Sequence, residues 1–186
     1  MMMNEFRFDM RQTGQEDIEK AKHYAQLIFK LNHTMPFTDE YNEILHLLFV
    51  ERLGKGSSIM APVNIVCPDK LTVGDRVFIN PGFLAMSRGG ITIEDDVQIA
   101  ANTQLLSNNH DPYDRQILTC KAIHIKKGAW IGAGATIMAG VTVGRYAIVG
   151  AASVVTHDVG YYEVVVGNPA RVIKTLEPER FSERTE

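Results

Sequence analysis

Aliphatic residues recur at every sixth position between Ile125 and Val159, separated by small and polar residues. Five full hexads and a partial sixth open on an aliphatic residue, at these positions: Ile125, Ile131, Ile137, Val143, Val149 and Val155. Self-similarity at a fixed short period is the signature of a solenoid. A period of six predicts a parallel β-helix in which each hexad forms one flat side and three hexads form a triangular coil. The opening residue points inward, and the small residue at the fifth place, such as Ala129, fits near the tight corner.

The same period is fainter before residue 125. Ile59 and Ile65 open weak hexads, and two clearer coils open on these residues: Val73, Ile79, Ala85, Ile93, Ile99 and Leu105. Residues 108–122 then break the pattern with a polar segment. An insertion that leaves a regular solenoid tends to lie on its functional face. We therefore place the β-helix at residues 57–160, with an inserted loop at about 108–122.

The N-terminal residues carry apolar side chains at helical spacing instead. Apolar residues three and four positions apart predict an amphipathic helix over residues 15–34. A second helix is predicted over residues 38–53, and Pro36 separates the two. We expect residues 1–56 to form an α-helical cap and residues 161–186 to form a C-terminal tail.

The composition mainly excludes certain kinds of partner, site and location. The chain is 45% apolar and 22% charged, and its net charge of -3 gives no electrostatic footprint for nucleic acid. Two isolated cysteines, Cys67 and Cys120, make neither a disulfide framework nor a zinc cluster, and we expect buried free thiols. There is no signal-peptide pattern and no apolar run of about 18 residues. We therefore expect a cytoplasmic protein without a nucleic-acid or membrane partner.

Three segments together carry a family resemblance. They are the helix ending in LIFKLNHT, the inserted histidine loop, and the run IGAGATIMAGVTVGRYAIVGAASVVTHDV that leads into VGNPARVIK. They resemble the hexapeptide-repeat acyltransferases, and within them the maltose/galactoside O-acetyltransferases and the related nodulation acetyltransferases. The resemblance covers nearly the whole chain. It implies a mainly β fold, a single-stranded left-handed parallel β-helix with an N-terminal α-helical cap, assembled as a homotrimer.

The resemblance also implies an activity, the transfer of acetyl from acetyl-CoA to a hydroxyl of a small acceptor, a carbohydrate, without a metal. His110 matches the loop histidine that removes the hydroxyl proton, a task that suits a side chain with a pKa near neutrality. Asn80 matches the asparagine that contacts the acceptor. Asp9 matches an N-terminal aspartate of the acceptor pocket. Arg88 stands where the family has an aspartate, which indicates an acidic or phosphorylated acceptor or a closed pocket.

Seven residues match positions that bind acetyl-CoA in the family: Trp130, Ala133, Ala151, Thr156, His157, Arg171 and Lys174. Trp130 borders the pantetheine groove, and the two alanines allow close approach of the backbone to the pantetheine arm. Arg171 and Lys174 match cations of the tail that meet the CoA phosphates. His157 replaces a lysine, so the permanent charge of the family is missing there.

Other functions remain open at this point. One is CoA-dependent acetylation of a non-sugar or anionic acceptor. Another is a non-catalytic β-helix scaffold subunit that kept the coils and lost the chemistry, since a fold alone does not settle function. A third is a γ-type carbonic anhydrase, which shares the fold and would need zinc held by three histidines around a subunit interface.

Overall fold

The structure, a computed structural model, describes residues 5–184. Two α-helices, α1 (Gln15–His33) and α2 (Asp39–Phe49), lie in the N-terminal part of the chain. The strands, numbered in chain order, are β1 (Phe6–Asp9), β2 (Ser58–Ile59), β3 (Val63–Val66), β4 (Leu71–Val73), β5 (Phe78–Ile79), β6 (Phe83–Met86), β7 (Ile91–Ile93), β8 (Gln98–Ile99), β9 (Gln104–Leu106), β10 (Asn108–His110), β11 (Ile117–Cys120), β12 (Ile123–Ile125), β13 (Trp130–Ile131), β14 (Thr136–Met138), β15 (Thr142–Val143), β16 (Ile148–Val149), β17 (Val154–Val155), β18 (Glu163–Gly167) and β19 (Ala170–Thr175).

Three parallel sheets form the sides of a solenoid. Sheet 1 contains β4, β7, β12 and β15, sheet 2 contains β2, β5, β8, β13, β16 and β18, and sheet 3 contains β3, β6, β9, β14 and β17. The chain passes from sheet 1 to sheet 2 to sheet 3 in each coil. This architecture confirms the predicted β-helix.

The opening residues of the hexads stack on one another in the interior. Ile125 pairs with Val143 in sheet 1. Ile131 pairs with Val149 in sheet 2. All six predicted opening residues of the strict run are buried. The column of aliphatic side chains removes apolar surface from water along the whole axis, which is the main stabilising contribution available to such a fold.

In these corners, the residue with a left-handed backbone conformation occupies the fourth place of the hexad, one position before the predicted small residue. Gly128 has a φ of +70° and Tyr146 a φ of +54° at this place. Ala129 and Ala135 at the fifth place are completely buried. The small fifth residue is therefore selected by crowding inside the prism, while the fourth residue takes the left-handed conformation that glycine adopts most readily.

The two helices cover the N-terminal end of the solenoid. The Asn32 amide donates to the carbonyl oxygen of Val63 and accepts from its N–H, both at 2.8 Å. The Tyr41 hydroxyl donates to the carbonyl oxygen of Ile59 at 2.9 Å and accepts from the N–H of Ala61 at 2.7 Å. These side chains satisfy backbone groups that the first strands of sheets 3 and 2 would otherwise leave unpaired.

The second helix is shorter than predicted. It ends at Phe49, and the next residue, Val50, has a φ of +53°, which a continuing right-handed helix does not allow. Neither helix in the described part of the chain has the combination of length and apolarity that crosses a membrane. Both cysteines are free, with Cys120 buried and Cys67 half-buried, and burial raises the pKa of each thiol.

The inserted segment is more regular than a loop. Strands β10 and β11 form an antiparallel hairpin, and β1 adds to its other side, giving the order β1-β11-β10. Leu118 and Cys120 alternate with half-buried neighbours and are themselves buried. This alternation is what keeps the hairpin attached to the solenoid.

Solenoid pairing also continues beyond residue 160. Val149 of β16 pairs in parallel with Val165 of β18, so one more strand joins sheet 2. Val164 and Val165 are buried, which supplies the apolar contacts that the hexad pattern no longer shows. Strand β19 then folds back antiparallel to β18.

Two edges of the solenoid differ in the residues that form their turns, and each is named here by that difference. The small-residue edge, where the chain turns from sheet 2 to sheet 3, consists of residues 60–62, 80–82, 100–102, 132–134 and 150–152. The loop edge, where it turns from sheet 3 to sheet 1, consists of residues 67–70, 87–90, 107–122, 139–141 and 156–158.

Candidate active site

His110 lies at the end of β10 on the loop edge, and its side chain is exposed. Its Nδ1 lies 2.6 Å from the carbonyl oxygen of Arg115. A carbonyl oxygen can only accept, so Nδ1 carries the proton and donates it. In the neutral ring, Nε2 then holds the free lone pair. The contact orients the imidazole with its basic nitrogen available to a substrate.

Asp111 holds the turn that follows His110. Its carboxylate accepts from the backbone N–H groups of Tyr113 at 2.8 Å and Asp114 at 3.1 Å, and from the Arg7 guanidinium at 2.5 Å. These bonds, that of the Tyr113 N–H first, lower the pKa of Asp111. Because Asp111 is only 8% exposed, it is a fixed support for the loop.

Sequence reasoning missed Asp111, although a signal was present. Asp followed by Pro is a common way to start a turn, because the Asp side chain bonds to backbone N–H groups two and three residues later. Arg115 adds a second tie, since its guanidinium donates to the carbonyl oxygen of Asp111 at 2.7 Å. The residue that orients His110 is thus itself tied to Asp111.

Arg88 and His110 lie on the same face of the small sheet. Phe8, Leu118 and His110 are directly opposite one another on β1, β11 and β10. Directly paired residues point to the same side of a sheet. The Arg88 guanidinium lies 4.0 Å from the centroid of the Phe8 ring. Two strand spacings of about 4.8 Å therefore place the backbone of Phe8 about 10 Å from that of His110.

Asp9 lies on the other face of β1, because it is the neighbour of Phe8 along the strand. Its carboxylate accepts from Arg11 Nε at 2.7 Å and from the terminal nitrogen of the same guanidinium at 2.9 Å. The side-chain hydrogen bond from Arg11 lowers the pKa of Asp9. The carboxylate is thus already paired and is not on the His110 face, and its role toward an acceptor stays a prediction.

Asn80 lies on the small-residue edge, where its amide donates to the carbonyl oxygen of Ile99 at 2.9 Å. Ala133 and Ala151 occupy the same edge in successive coils, and the N–H of Ala152 donates to the carbonyl oxygen of Ala133 at 2.8 Å. The three predicted residues therefore form part of one column. Both alanines are exposed, so their backbone is accessible from outside.

The structure does not bring Asn80 to His110 within one chain. The two residues lie on different edges of the prism, with sheet 3 between them. Strand β6 alone, at four residues, spans about 13 Å of that sheet. One chain therefore presents the predicted base and the predicted acceptor-binding asparagine on separate edges.

The predicted phosphate-binding residues gather at the C-terminal end of the prism. His157 and Arg171 line one cavity of about 370 Å³, whose floor includes Val155 and Val165. The hydroxyl of Thr156 lies 2.9 Å from Nδ1 of His157. His157, Arg171 and Thr156 are all exposed, so a ligand can reach them from solvent.

Trp130 and Lys174 lie farther along sheet 2, on its outer face. Trp130 pairs with Ile148, Ile148 with Val164, and Val164 with Lys174, so the four form one row. Trp130 is 52% exposed, which is unusual for its size, and is open to a neighbouring molecule. Within residues 5–184, no group of three or more His, Cys, Asp and Glu side chains is placed to hold a metal ion.

Comparisons with known proteins give a consistent result. The family model described as bacterial transferase hexapeptide (six repeats) matches residues 122–157. A Staphylococcus aureus protein assigned to the acetyltransferases is 32% identical over 174 residues, which cover 91% of this chain and 87% of that protein. Galactoside O-acetyltransferase of Escherichia coli is 28% identical over 163 residues, 85% of this chain and 80% of the enzyme.

A solved structure shares the fold over a similar length. The hexapeptide-repeat acetyltransferase of Vibrio cholerae, solved in complex with acetyl coenzyme A, has a TM-score of 0.84 and 30% sequence identity. The match covers 89% of this chain and 91% of that chain. The likeness therefore includes the helical cap as well as the coils.

Proposed function

Because the chain belongs to the hexapeptide-repeat acetyltransferases and is an acetyl-CoA-dependent enzyme, we propose that it acetylates a hydroxyl of a small carbohydrate acceptor with His110 as general base. The observation that carries the role of His110 is its bond to the Arg115 carbonyl oxygen, which leaves Nε2 as the basic nitrogen. The name of the galactoside O-acetyltransferase relative supports a carbohydrate acceptor.

The reaction uses one proton shuttle. Nε2 of His110 takes the proton of the acceptor hydroxyl as the oxygen attacks the carbonyl carbon of the acetyl thioester. A C–O bond forms and the C–S bond breaks, and the resulting imidazolium returns the proton to the departing CoA sulfur. A histidine suits both steps because it accepts and releases a proton near neutral pH.

The residues at the C-terminal end fit the acetyl-CoA that this chemistry requires. Arg171 and His157 share one cavity, and Lys174 lies on the same strand as Arg171, β19. Arginine forms bidentate bonds to phosphate, while lysine acts as a point charge. The exposed alanines Ala133 and Ala151 leave the backbone of the small-residue edge open to the pantetheine arm.

We further propose that the enzyme is a homotrimer of left-handed β-helices whose active sites form between chains. The separation of Asn80 and His110 supports this, since a neighbour's small-residue edge placed against the loop edge would bring the two together. The exposed Trp130 also supports it, because tryptophan is enriched at protein interfaces.

Acetyl-CoA titration by calorimetry, followed by release of the CoA thiol in the presence of neutral sugars and sugar acids, tests the proposed function. We expect one binding site per chain and an acceptor-dependent thiol signal. Arg171→Ala should weaken acetyl-CoA binding at least about tenfold, as loss of a charged phosphate contact does. Lys22→Ala, which removes an exposed cation of α1, is the matched control. Absence of acetyl-CoA binding by the folded protein would contradict the proposal.

A further inference from the structure

A second cavity, of about 280 Å³, lies between α1 and the loop edge. Tyr24 of α1 and Ile65 and Val66 of β3 give it an apolar wall. Arg88 and Lys70 of the loop edge line its other side. Its volume is close to the lower end of the range of about 300–1,000 Å³ that small-molecule sites occupy. It combines an apolar wall with charged groups that converge from the opposite side.

Within residues 5–184, no carboxylate lies in hydrogen-bond or ion-pair contact with the side chain of Arg88 or Lys70. Lys70 Nζ donates only to a backbone oxygen, the carbonyl of Arg88, at 3.3 Å. By contrast, Arg76 donates to Asp96 at 2.6 Å and 3.0 Å, on the edge between sheets 1 and 2. Two neighbouring unpaired cations repel one another, so a bound anion would lower the electrostatic free energy of this cavity.

Aromatic rings hold both cations in place without neutralising them. The Arg88 guanidinium lies on the face of Phe8, and Lys70 Nζ is 5.5 Å from the centroid of Phe6. Stacking occupies the face of the guanidinium and leaves its N–H edge free to form a bidentate bond. The cavity therefore has a preformed donor set for a carboxylate or phosphate.

The remaining charges of the lining cancel only half of this pair, because three cations face two carboxylates and leave a net charge of +1. Lys20 Nζ donates to Asp69 at 2.8 Å, so those two charges neutralise each other. Burial raises the pKa of the Cys67 thiol, so the thiol stays protonated and adds no negative charge at neutral pH. Asp17 of α1 is the further acidic residue of the lining, and its carboxylate accepts from the N–H of Gly14.

We propose that this cavity binds the carboxylate or phosphate of an anionic acceptor, with Arg88 as the bidentate donor and Lys70 as the second charge. The inference rests on the proposed function, because it assigns the acceptor class to the same site. Phe8, against which Arg88 lies, is on the same face of the small sheet as His110, so an acceptor held by Arg88 through its anionic group can extend a hydroxyl toward Nε2.

NMR titration of the CoA-saturated protein with glucuronate, glucose 6-phosphate and glucose tests this proposal directly. We expect at least one of the two anions to bind about tenfold or more tightly than glucose, and Arg88→Gln to abolish that advantage. Arg88→Lys should retain part of it, because the charge remains while the planar fork is lost. Lys55→Gln, which removes an exposed cation on another edge, should leave it unchanged.

Equal affinity for all three sugars, no binding of either anion, or an anion preference that survives in folded Arg88→Gln would overturn the inference. Acetyl-CoA titration of the same samples separates this result from the proposed function. If acetyl-CoA binds and the anion preference is absent, only the acceptor assignment fails. If acetyl-CoA itself does not bind, the proposed function fails.

Discussion

The small-residue edge and the loop edge belong to the same coils, yet they are built differently. On the small-residue edge, the described turns contain about three residues in each coil, and in the last coils these are alanines and glycines. On the loop edge, the corresponding turns hold two short 3-10 segments and the hairpin of β10 and β11. The difference shows that a solenoid can keep one edge short and closely packed while another edge accommodates inserted segments.

Steric crowding explains why the small-residue edge contains small residues. A Cβ atom added to Gly132 would lie 2.6 Å from the backbone nitrogen of Ala151, and one added to Gly74, on a different edge, would lie 2.5 Å from the Asp95 carboxylate. Backbone atoms cannot move aside as the end of a side chain can. The small-residue edge therefore tolerates little change, whereas the loop edge gains residues without disturbing the stacked interior.

The largest expected effect of a substitution is on the loop edge. His110→Ala should lower turnover roughly 10²- to 10⁴-fold, the range expected for loss of a general base, while acetyl-CoA affinity is retained. Release of the CoA thiol and calorimetry measure the two quantities separately. His23→Ala, an exposed histidine of α1, is the control that should leave both unchanged. Turnover equal to that of the unaltered protein would remove His110 from the reaction.

The next effect concerns the support of His110. Asp111→Asn should lower turnover roughly 10- to 100-fold, because a shift of about 1 Å in the position of the base is costly. The amide oxygen of asparagine still accepts from the two backbone N–H groups, but its NH2 group faces the Arg7 guanidinium in place of an acceptor, so the tie to Arg7 is lost and the turn that carries Arg115 shifts.

Asp114→Asn is the matched control, since this neighbouring carboxylate is more exposed. A kcat loss without a change in acetyl-CoA affinity would mark Asp111 as a positioning residue. If both variants lost turnover equally, the buried carboxylate would have no special role.

Substitutions on the small-residue edge should affect stability more than chemistry. Gly132→Ala should lower the free energy of unfolding by about 1–3 kcal/mol, as overpacking does. A Cβ atom on Gly134 makes only ordinary van der Waals contact with the Ala152 backbone at 4.0 Å, so the cost of Gly134→Ala comes from its φ of +68°, about 1 kcal/mol. Denaturant unfolding of the two variants should therefore rank Gly132→Ala as the less stable. The reverse order would show that the edge is not close-packed.

The hexad count predicts much of this comparison. Ile79 opens a hexad of sheet 2 and Leu105 one of sheet 3, so the residues after them, Asn80 and the histidine loop, fall on different edges. The pairing of β1 with β11 could not be predicted in this way, because the partners Phe6 and Cys120 are more than 100 positions apart. Long-range antiparallel pairing depends on packing that local periodicity does not record.

The smallest expected effect is a pH dependence of the folding stability that comes from His124, which lies on neither of the two edges. Burial lowers the pKa of His124, on sheet 1, below its ordinary value of 6.5. As the pH falls, His124 of the unfolded chain therefore binds a proton before His124 of the folded chain does. The free energy of unfolding decreases from about pH 6.5 downward, until the pH passes the pKa of the folded state. His124→Gln should reduce this loss in denaturant unfolding between pH 8 and pH 5, whereas His23→Gln should not. An identical pH profile for all three proteins would contradict the assignment.

The proposed sharing of each active site between two chains is tested most directly by trimers that contain two kinds of defective chain. Asn80→Ala removes the predicted contact of the small-residue edge, and His110→Ala removes the base of the loop edge. In co-expressed, randomly mixed trimers, a site is intact only when its loop edge comes from an Asn80→Ala chain and its small-residue edge comes from a His110→Ala chain. The account predicts recovery of about a quarter of the activity of the unaltered protein. Mixed trimers of confirmed composition that are no more active than either parent would contradict it.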